Sequence, residues 1–136
     1  MNKILIIAIV AAILCLTGCS AANNNQTDDT MEGTYMQISQ EKAMEMMKLD
    51  DGHVIVDVRR QDEYDMGHIK GAILIPNETI GTTQPEELPD LDQIILVYCR
   101  SGNRSKDASQ KLADMGYTNI YEFGGINTWT GDIVTD

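Results

Sequence analysis

Two short apolar runs constrain the fold of this chain more than any other feature. Residues 54–58 read VIVDV and residues 93–98 read QIILVY. Neither run alternates apolar with polar side chains, as a strand with one solvated face does. Near-continuous runs of β-branched residues are typical of strands that are buried on both faces of a parallel sheet. The sequence therefore predicts a central sheet with a layer packed on each side.

The remaining patterns alternate between strand and helix. Ser39 is suited to cap the first helix, and Gly67 and Gly116 follow the second and third. The predicted helices cover 39–49, 61–66 and 105–115, with a short last helix around Trp129; the other predicted strands cover 34–38 (an edge strand), 72–75 and 119–123. Residues 77–92 are polar and are predicted to be irregular with one helical turn. This alternation predicts the α/β class, with a mostly parallel central sheet and helices on both faces.

The amino-terminal segment does not resemble part of that domain. Lys3 precedes an uncharged stretch from Ile4 to Leu16. The stretch is shorter than the ~20 residues of a bilayer-spanning helix and suits the apolar part of an export signal. It runs into Leu16-Thr17-Gly18-Cys19, which resembles the lipobox of bacterial lipoproteins. That resemblance implies a lipid on Cys19 and a location at the cell membrane, anchored on its extracytoplasmic side.

The alternative is an ordinary signal peptide, or an uncleaved anchor in which Cys19 has no role. With the lipobox, residues 1–18 are predicted to be a signal peptide and 34–136 the folded domain. Between them, 19–33 hold the lipidated cysteine and a flexible linker without apolar periodicity. The net charge of the chain is −11, and so acidic a surface repels nucleic-acid phosphates. Nucleic-acid binding is therefore not expected.

The three cysteines have different predicted fates. Cys15 leaves with the signal peptide and Cys19 carries the lipid, so Cys99 is the one thiol of the mature domain. It has no partner for a disulfide in a compartment that permits disulfides, which suggests that its reactivity is used. One thiol together with His53 and His68, at no ligand-like spacing, predicts no metal site. A catalytic Cys–His pair is open but has no support in the sequence.

Cys99 follows the second apolar run and precedes a polar, dibasic loop. The loop reads Arg100-Ser101-Gly102-Asn103-Arg104-Ser105 and leads into a predicted helix. Gly102 and Asn103 tolerate left-handed backbone angles, so successive N–H groups can turn inward at the helix N-terminus. With the two arginines, such a cradle favours a thiolate. We expect an ionised sulfur that is open to solvent; the alternative is a buried, inert cysteine.

Several motifs in order resemble the single-domain rhodanese-like, or thiosulfate sulfurtransferase-like, family. The resemblance spans residues 35–131 and implies the rhodanese-like α/β fold. Its motifs are Asp57-Val58-Arg59, Glu63-Tyr64, Gly67 to Ala72, Ile75-Pro76, Tyr98 to Ser105, and Gly124 to Trp129.

The resemblance also implies a reaction. Cys99 attacks the outer sulfur of a small sulfur-containing anion such as thiosulfate and becomes a persulfide, with no other cofactor. Loop N–H groups from Arg100 to Ser105 then hold the negative terminal sulfur, and a thiol or cyanide-like acceptor takes it. Arg104 closes the loop and Arg100 orients the donor. Structural support under the loop is implied for Asp57, Arg59, His68 and Trp129.

Two alternatives remain open at this point. Phosphatases and arsenate reductases related to this fold place five residues between cysteine and arginine, around a tetrahedral oxyanion. Only four residues separate Cys99 from Arg104, and this smaller cradle suits a sulfur atom better. The other alternative is a non-catalytic, membrane-tethered module that relays sulfur or binds a protein.

Overall fold

A parallel sheet of five strands organises the fold. The structure is a computed structural model that describes residues 35–136 and, before them, the backbone of Met31–Glu32. The strands are β1 (Met31–Glu32), β2 (Tyr35–Gln37), β3 (Val54–Asp57), β4 (His68–Ile69), β5 (Ile73–Leu74), β6 (Ile94–Cys99), β7 (Asn119–Gly125) and β8 (Ile133–Val134). The helices are α1 (Gln40–Met47), α2 (Gln61–Asp65) and α3 (Asn103–Asp114), with 3-10 turns at Asn77–Thr79 and Ile126–Thr128.

The main sheet has the order β1-β2-β7-β6-β3-β5. All its neighbouring pairs are parallel except β1 with β2. The two apolar runs of the sequence form β3 and β6, which lie side by side in the interior of the sheet. The carboxyl ends of the parallel strands meet at one edge, where ligands of such sheets bind.

Successive residues of the central strands face opposite layers. Val56, Ile95 and Val97 point to the layer that contains α3, which contributes Ala108 and Leu112. Ile55, Leu96 and Tyr98 face the other layer. There they form a second apolar cluster with Ala43 of α1, Phe123 of β7 and Trp129 after β7. The predicted α/β fold, with its mostly parallel sheet and helices on both faces, is confirmed.

Local details differ from the sequence predictions at both ends of the domain. Met31–Glu32, placed in the linker 19–33 by the sequence analysis, pair with β2, so β2 is an inner strand and not an edge strand. Backbone pairing at an open sheet edge needs no apolar pattern. The sequence analysis therefore did not predict β1. The last helical turn ends before Trp129 instead of surrounding it.

A second, two-stranded sheet was also not predicted. In it β4 pairs antiparallel with β8, joining His68 to Val134 and Ile69 to Ile133. Strands of two residues carry no periodicity for a sequence pattern to show.

Within residues 35–136, no helix is long and apolar enough to cross a bilayer. The predicted signal peptide, Cys15, Cys19 and the first part of the predicted linker lie outside the described residues.

Candidate active site

Cys99 is the last residue of β6, at the carboxyl edge of the sheet. Its Sγ accepts a hydrogen bond of 3.0 Å from the backbone N–H of Gly102. The residue is only 1% exposed, so the expectation that the sulfur is open to solvent is wrong. The reason is that the loop after Cys99 folds back over the sulfur and places Gly102, itself buried, directly on it.

The loop turns at the glycine that the sequence analysis singled out. Gly102 has a left-handed φ of +106° and is the N-cap of α3, whereas Asn103 is already the first helical residue. The Lys106 N–H donates to the Gly102 carbonyl at 3.3 Å. The N–H groups of the three preceding helical residues belong to the first turn, where no intrahelical acceptor exists. The Gly102 N–H donates to the sulfur, and the first-turn N–H groups are further donors at the N-terminus of α3.

Gly125 at the end of β7 lets the loop approach closely. A Cβ on Gly125 would lie 2.0 Å from the carbonyl oxygen of Arg100 and 2.6 Å from the nitrogen of Ser101. The Asn127 N–H donates to the same Arg100 carbonyl at 3.2 Å. The loop is therefore held in place by the segment 125–127, a role the sequence analysis did not assign to Gly124 and Gly125.

Arg104 is fixed by an ion pair on its outer side. Its Nη1 lies 2.7 Å from Oε2 of Glu63, and its Nη2 lies 2.9 Å from Oε1. The hydrogen bond from Arg104 is the largest cause that lowers the pKa of Glu63 to about 2. Arg104 thus links α3 to α2, and its guanidinium is directed to Glu63. Its predicted role of closing the loop around an anion stays a prediction.

The other loop side chains are distributed around the rim. Arg100, Ser101 and Asn103 are exposed. A cavity of about 430 Å³ is lined by Arg100 together with Arg59 and Glu63. A second cavity, of about 440 Å³, is lined by Ser101 and Gly102 on one side and by the end of β7 on the other. Two hollows therefore flank the loop that covers Cys99.

Asp57 and Arg59 form a buried pair below the loop. Arg59 Nε lies 2.9 Å from Oδ1 of Asp57, and Nη2 lies 2.6 Å from Oδ2. The Tyr98 hydroxyl also donates to Asp57 Oδ2 at 2.7 Å and accepts the Ile69 N–H at 3.0 Å. Arg59 reaches further to the carbonyl of Gly67. This network connects β3 and β6 to the segment 67–69, which is consistent with the supporting role predicted for Asp57 and Arg59. Tyr98 was not predicted to be part of the network.

His68 and Trp129 lie in the packed layer away from the sulfur. The His68 ring stacks on Tyr64 at 3.7 Å between centroids, and its Nδ1 lies 3.1 Å from the Tyr64 carbonyl. Trp129 packs on Phe123 at 5.5 Å. His53 pairs with Asp51. Across residues 35–136, the hydrogen bonds of the Cys99 sulfur go to Gly102 and Ser105, so the structure brings no imidazole to the thiol.

Ser105 and Glu122 form a buried contact next to Cys99 that the sequence analysis did not predict. The buried Ser105 hydroxyl lies 3.4 Å from Cys99 Sγ and 2.5 Å from Oε1 of Glu122. Glu122 is 3% exposed and also accepts the Gly124 N–H at 2.8 Å. Alternation along β7 could have indicated the burial of Glu122, because this residue lies on the same face of the strand as the buried Ile120.

This geometry suits a reaction at sulfur. The cysteine lies at the end of an interior strand, and its sulfur contacts the Gly102 N–H and the Ser105 hydroxyl. Among the described residues, no group of three or more His, Cys, Asp or Glu side chains is arranged to hold a metal ion. The structure is thus a small α/β domain that carries a cysteine in a loop of amides at the carboxyl edge of a parallel sheet.

Comparison with known proteins identifies the family. Residues 39–132 match the rhodanese-like domain family, and the chain belongs to that family. The thiosulfate sulfurtransferase PspE of Escherichia coli is 35% identical over 71 residues, covering 52% of this chain and 68% of PspE. The thiosulfate sulfurtransferase GlpE of Coxiella burnetii is 36% identical over 96 residues, covering 70% of this chain and 87% of GlpE.

A solved structure agrees with these relatives. The rhodanese with anions from E. coli superimposes with a TM-score of 0.57 at 30% identity, covering 62% of this chain and 99% of that one. The rhodanese-like fold predicted from the sequence is therefore confirmed. Relatives named thiosulfate sulfurtransferase support sulfurtransferase activity at the level of the family, with a sulfur donor and a sulfur acceptor as its general partners.

Proposed function

We propose that this protein is a sulfurtransferase that moves a sulfane sulfur from a donor such as thiosulfate to a thiophilic acceptor through a persulfide on Cys99. The observation that carries this proposal is the hydrogen bond from the Gly102 N–H to Cys99 Sγ at the N-terminus of α3. Donors that stabilise a negative sulfur favour both the attacking thiolate and the persulfide that follows.

The first half-reaction loads the cysteine. The Cys99 thiolate attacks the outer sulfur of thiosulfate, the new S–S bond forms, and sulfite leaves with the electron pair of the bond that breaks. Arg100, exposed at the rim, attracts the anionic donor. The N–H groups of the first turn of α3 hold the negative terminal sulfur of the persulfide.

The second half-reaction returns the cysteine to its starting state. A thiol or cyanide attacks the terminal sulfur, takes it, and releases the Cys99 thiolate, which gives ping-pong kinetics. Because Cys99 is 1% exposed, the loop that covers its sulfur restricts the access of both the donor and the acceptor. A single sulfur atom can reach a covered cysteine more easily than a phosphate ester can. The short spacing between Cys99 and Arg104 agrees with this difference in size.

The burial of Cys99 is the observation that favours the alternative function, a non-catalytic module. A sulfur covered by its own loop is expected in a module that receives sulfur from one protein partner or that binds a protein. The mass of the full chain after incubation with thiosulfate separates these functions. One added sulfur atom, absent in Cys99→Ser, supports the enzyme; no added sulfur from any sulfane donor supports the binding module. Hydrolysis of p-nitrophenyl phosphate that depends on Cys99 indicates a phosphatase instead.

We also propose that the protein is held at the extracytoplasmic side of the cell membrane by lipid on Cys19. The support is the lipobox-like sequence after a short apolar stretch, since two or more acyl chains anchor a protein stably. In the variant Cys19→Ala, the protein leaves the membrane fraction or its precursor stays uncleaved. Unchanged fractionation and processing would contradict the anchor. Cys15→Ala is the matched control and is expected to leave both unchanged.

A further inference from the structure

Three side chains form a hydrogen-bonded chain that leads from the reacting sulfur into the protein. The Cys99 thiol donates to Ser105 Oγ over 3.4 Å. The Ser105 hydroxyl lies 2.5 Å from Glu122 Oε1, closer than it is to the carbonyls of Gly102 and Gly124, at 2.9 and 3.4 Å. We propose that Ser105 and Glu122 carry the proton of the Cys99 thiol away from the sulfur and back to it. This inference rests on the proposed function.

Packing alone gives no account of Glu122. Its carboxyl group is 3% exposed, and within the described part of the chain it forms no ion pair with a lysine or arginine. Burying a carboxylate without a cation is costly. The two hydrogen bonds it accepts, from Ser105 and from the Gly124 N–H, leave Oε1 held in place at the end of the chain of three groups.

The heavy-atom positions fit both locations of the proton. In the first state Cys99 is a thiol that donates to Ser105, and Ser105 donates to the Glu122 carboxylate. In the second state Glu122 is the neutral acid that donates to Ser105, and Ser105 donates to the Cys99 thiolate, which the Gly102 N–H also stabilises. Moving two hydrogens by one bond each converts one state to the other. The pair carries one negative charge in both states, so no second buried charge appears.

The sulfur transfer then balances without an external base. On loading, the thiol proton passes to Ser105 as the Ser105 proton passes to Glu122, and the Cys99 thiolate forms the S–S bond while sulfite leaves. On unloading, the acceptor takes the terminal sulfur and Cys99 leaves as a thiolate. Ser105 then returns a proton to the sulfur and regains one from Glu122. Glu122 contacts the sulfur only through Ser105, so it is a positioning residue and not a catalytic one.

Few charges face Glu122 from the surrounding elements. It lines the cavity of about 440 Å³, and Lys106 on α3 is the only other charged residue among the described residues of that lining. Neighbouring β2 and α1 contribute the uncharged Gln37, Ser39 and Gln40. The ionisable group that Glu122 reaches through hydrogen bonds is therefore Cys99 on β6, by way of Ser105.

The test is the pH dependence of the rate at which iodoacetamide alkylates Cys99 in the full chain, located by peptide mass. Because Glu122 can take the thiol proton inside the protein, the proposal predicts that the wild-type rate changes little with pH. In Glu122→Gln, which keeps an oxygen acceptor but takes no proton, the thiolate appears only as the thiol itself ionises. We expect the variant to be slower by about tenfold or more near pH 6 and to approach the wild type near pH 9.

Other outcomes overturn the proposal. They are a uniform loss at every pH, an unchanged pH profile, a faster reaction of Glu122→Gln at low pH, or a wild-type Cys99 that is not alkylated at any pH. Ser105→Ala breaks the same chain at its middle and is expected to show the same pH-dependent loss, which covers the case in which Glu122→Gln fails to fold. Glu87→Gln, an exposed carboxylate with the same charge change, is the matched control.

Alkylation also separates this inference from the proposed function. If thiosulfate adds no sulfur to Cys99 but the two alkylation profiles differ as expected, the sulfurtransferase proposal fails and the proton chain stands. If the persulfide forms but both profiles coincide, the proton chain fails and the sulfurtransferase stands.

Discussion

Arg104 and Glu63 form a two-pronged ion pair, with N–O distances of 2.7 and 2.9 Å, that joins the first turn of α3 to α2. The Arg104 side chain is 31% exposed and that of Glu63 is 11% exposed. A charge-assisted contact of this geometry is stronger than an exposed pair. The helix that follows Cys99 is thus fastened to the helix that follows the Asp57–Arg59 pair.

The first prediction concerns stability and pH. The pKa of Glu63 lies at about 2 in the folded protein, below its ordinary value of 4.5, so the stabilisation is complete above pH 4.5 and is lost as the pH falls toward 2. Arg104→Ala is expected to lower the free energy of unfolding by about 1–3 kcal/mol near pH 7. The difference from the wild type narrows as the pH drops through 4. Urea unfolding at several pH values measures it.

A double-mutant cycle with Glu63→Gln tests whether the pair itself is responsible. The coupling free energy between the two substitutions should account for most of the loss at pH 7 and become small as the pH falls to 2 and below. A loss for Arg104→Ala that is the same at every pH would contradict this account. Lys48→Ala, at an exposed lysine on α1's carboxyl end, is the control that is expected to show no such pH-dependent change.

The second prediction concerns the close approach at Gly125. In Gly125→Ala, the new Cβ would overlap the Arg100 carbonyl, so the loop must move away from β7. We expect persulfide formation with thiosulfate to fall by at least about tenfold, because a loop shift of this kind misplaces the donors around the sulfur. Gly81→Ala, where a Cβ meets nothing within 4 Å, should leave the rate unchanged. Equal rates for both variants would show that the loop does not depend on Gly125.

The third prediction separates backbone strain from the effect on the sulfur. Gly102→Ala and Gly52→Ala both place alanine at a positive φ, +106° and +77°, where no Cβ contact is closer than 3.7 Å. Each is expected to cost about 1 kcal/mol of stability. Only Gly102→Ala should also slow alkylation of Cys99, because strain at this residue turns its N–H from the sulfur. Equal alkylation rates in the two variants would contradict the assigned donor.

The fourth prediction concerns the network below the loop. Tyr98→Phe removes the hydroxyl that donates to Asp57 and accepts the Ile69 N–H, and Tyr98 is completely buried. The variant leaves the buried Ile69 N–H unpaired and removes one hydrogen bond from Asp57, which keeps those from Arg59; the expected cost is about 2–4 kcal/mol, measured by urea unfolding. Tyr64→Phe, which removes one bond to the Ala72 carbonyl at a half-buried position, is expected to cost about 1 kcal/mol. Equal losses would mean that the network adds nothing beyond a single bond.

The sequence predicted the parts of the fold that depend on local pattern. β3 and β6 follow from apolar runs, and the start of α1 follows from Ser39, whose side chain accepts the Lys42 N–H. The left-handed turn at Gly102 follows from a glycine before a helix. The missed features depend on pairing between distant segments: β4 meets β8 across more than sixty residues, and no local periodicity encodes that contact.

The site shows the same division. The position of Cys99 at a strand end follows from the apolar run before it, whereas its burial depends on how the loop folds over it. That fold requires Gly125 and Asn127, some 26 residues later in the chain. The direction of Arg104 depends on Glu63, 41 residues earlier. Side-chain direction at a loop is set by such distant partners, which a local motif does not specify.

The antiparallel direction of β1 has a consequence for the orientation of the protein. Met31 stands opposite Met36 and Glu32 opposite Tyr35, so the chain enters the domain from the same edge of the sheet at which Cys99 lies. Met31 is twelve residues beyond Cys19, and that length spans at most about 40 Å when fully extended. A protein anchored at Cys19 would therefore hold the start of β1, and with it the edge of the sheet that carries Cys99, within about 40 Å of the bilayer surface and facing the anchor.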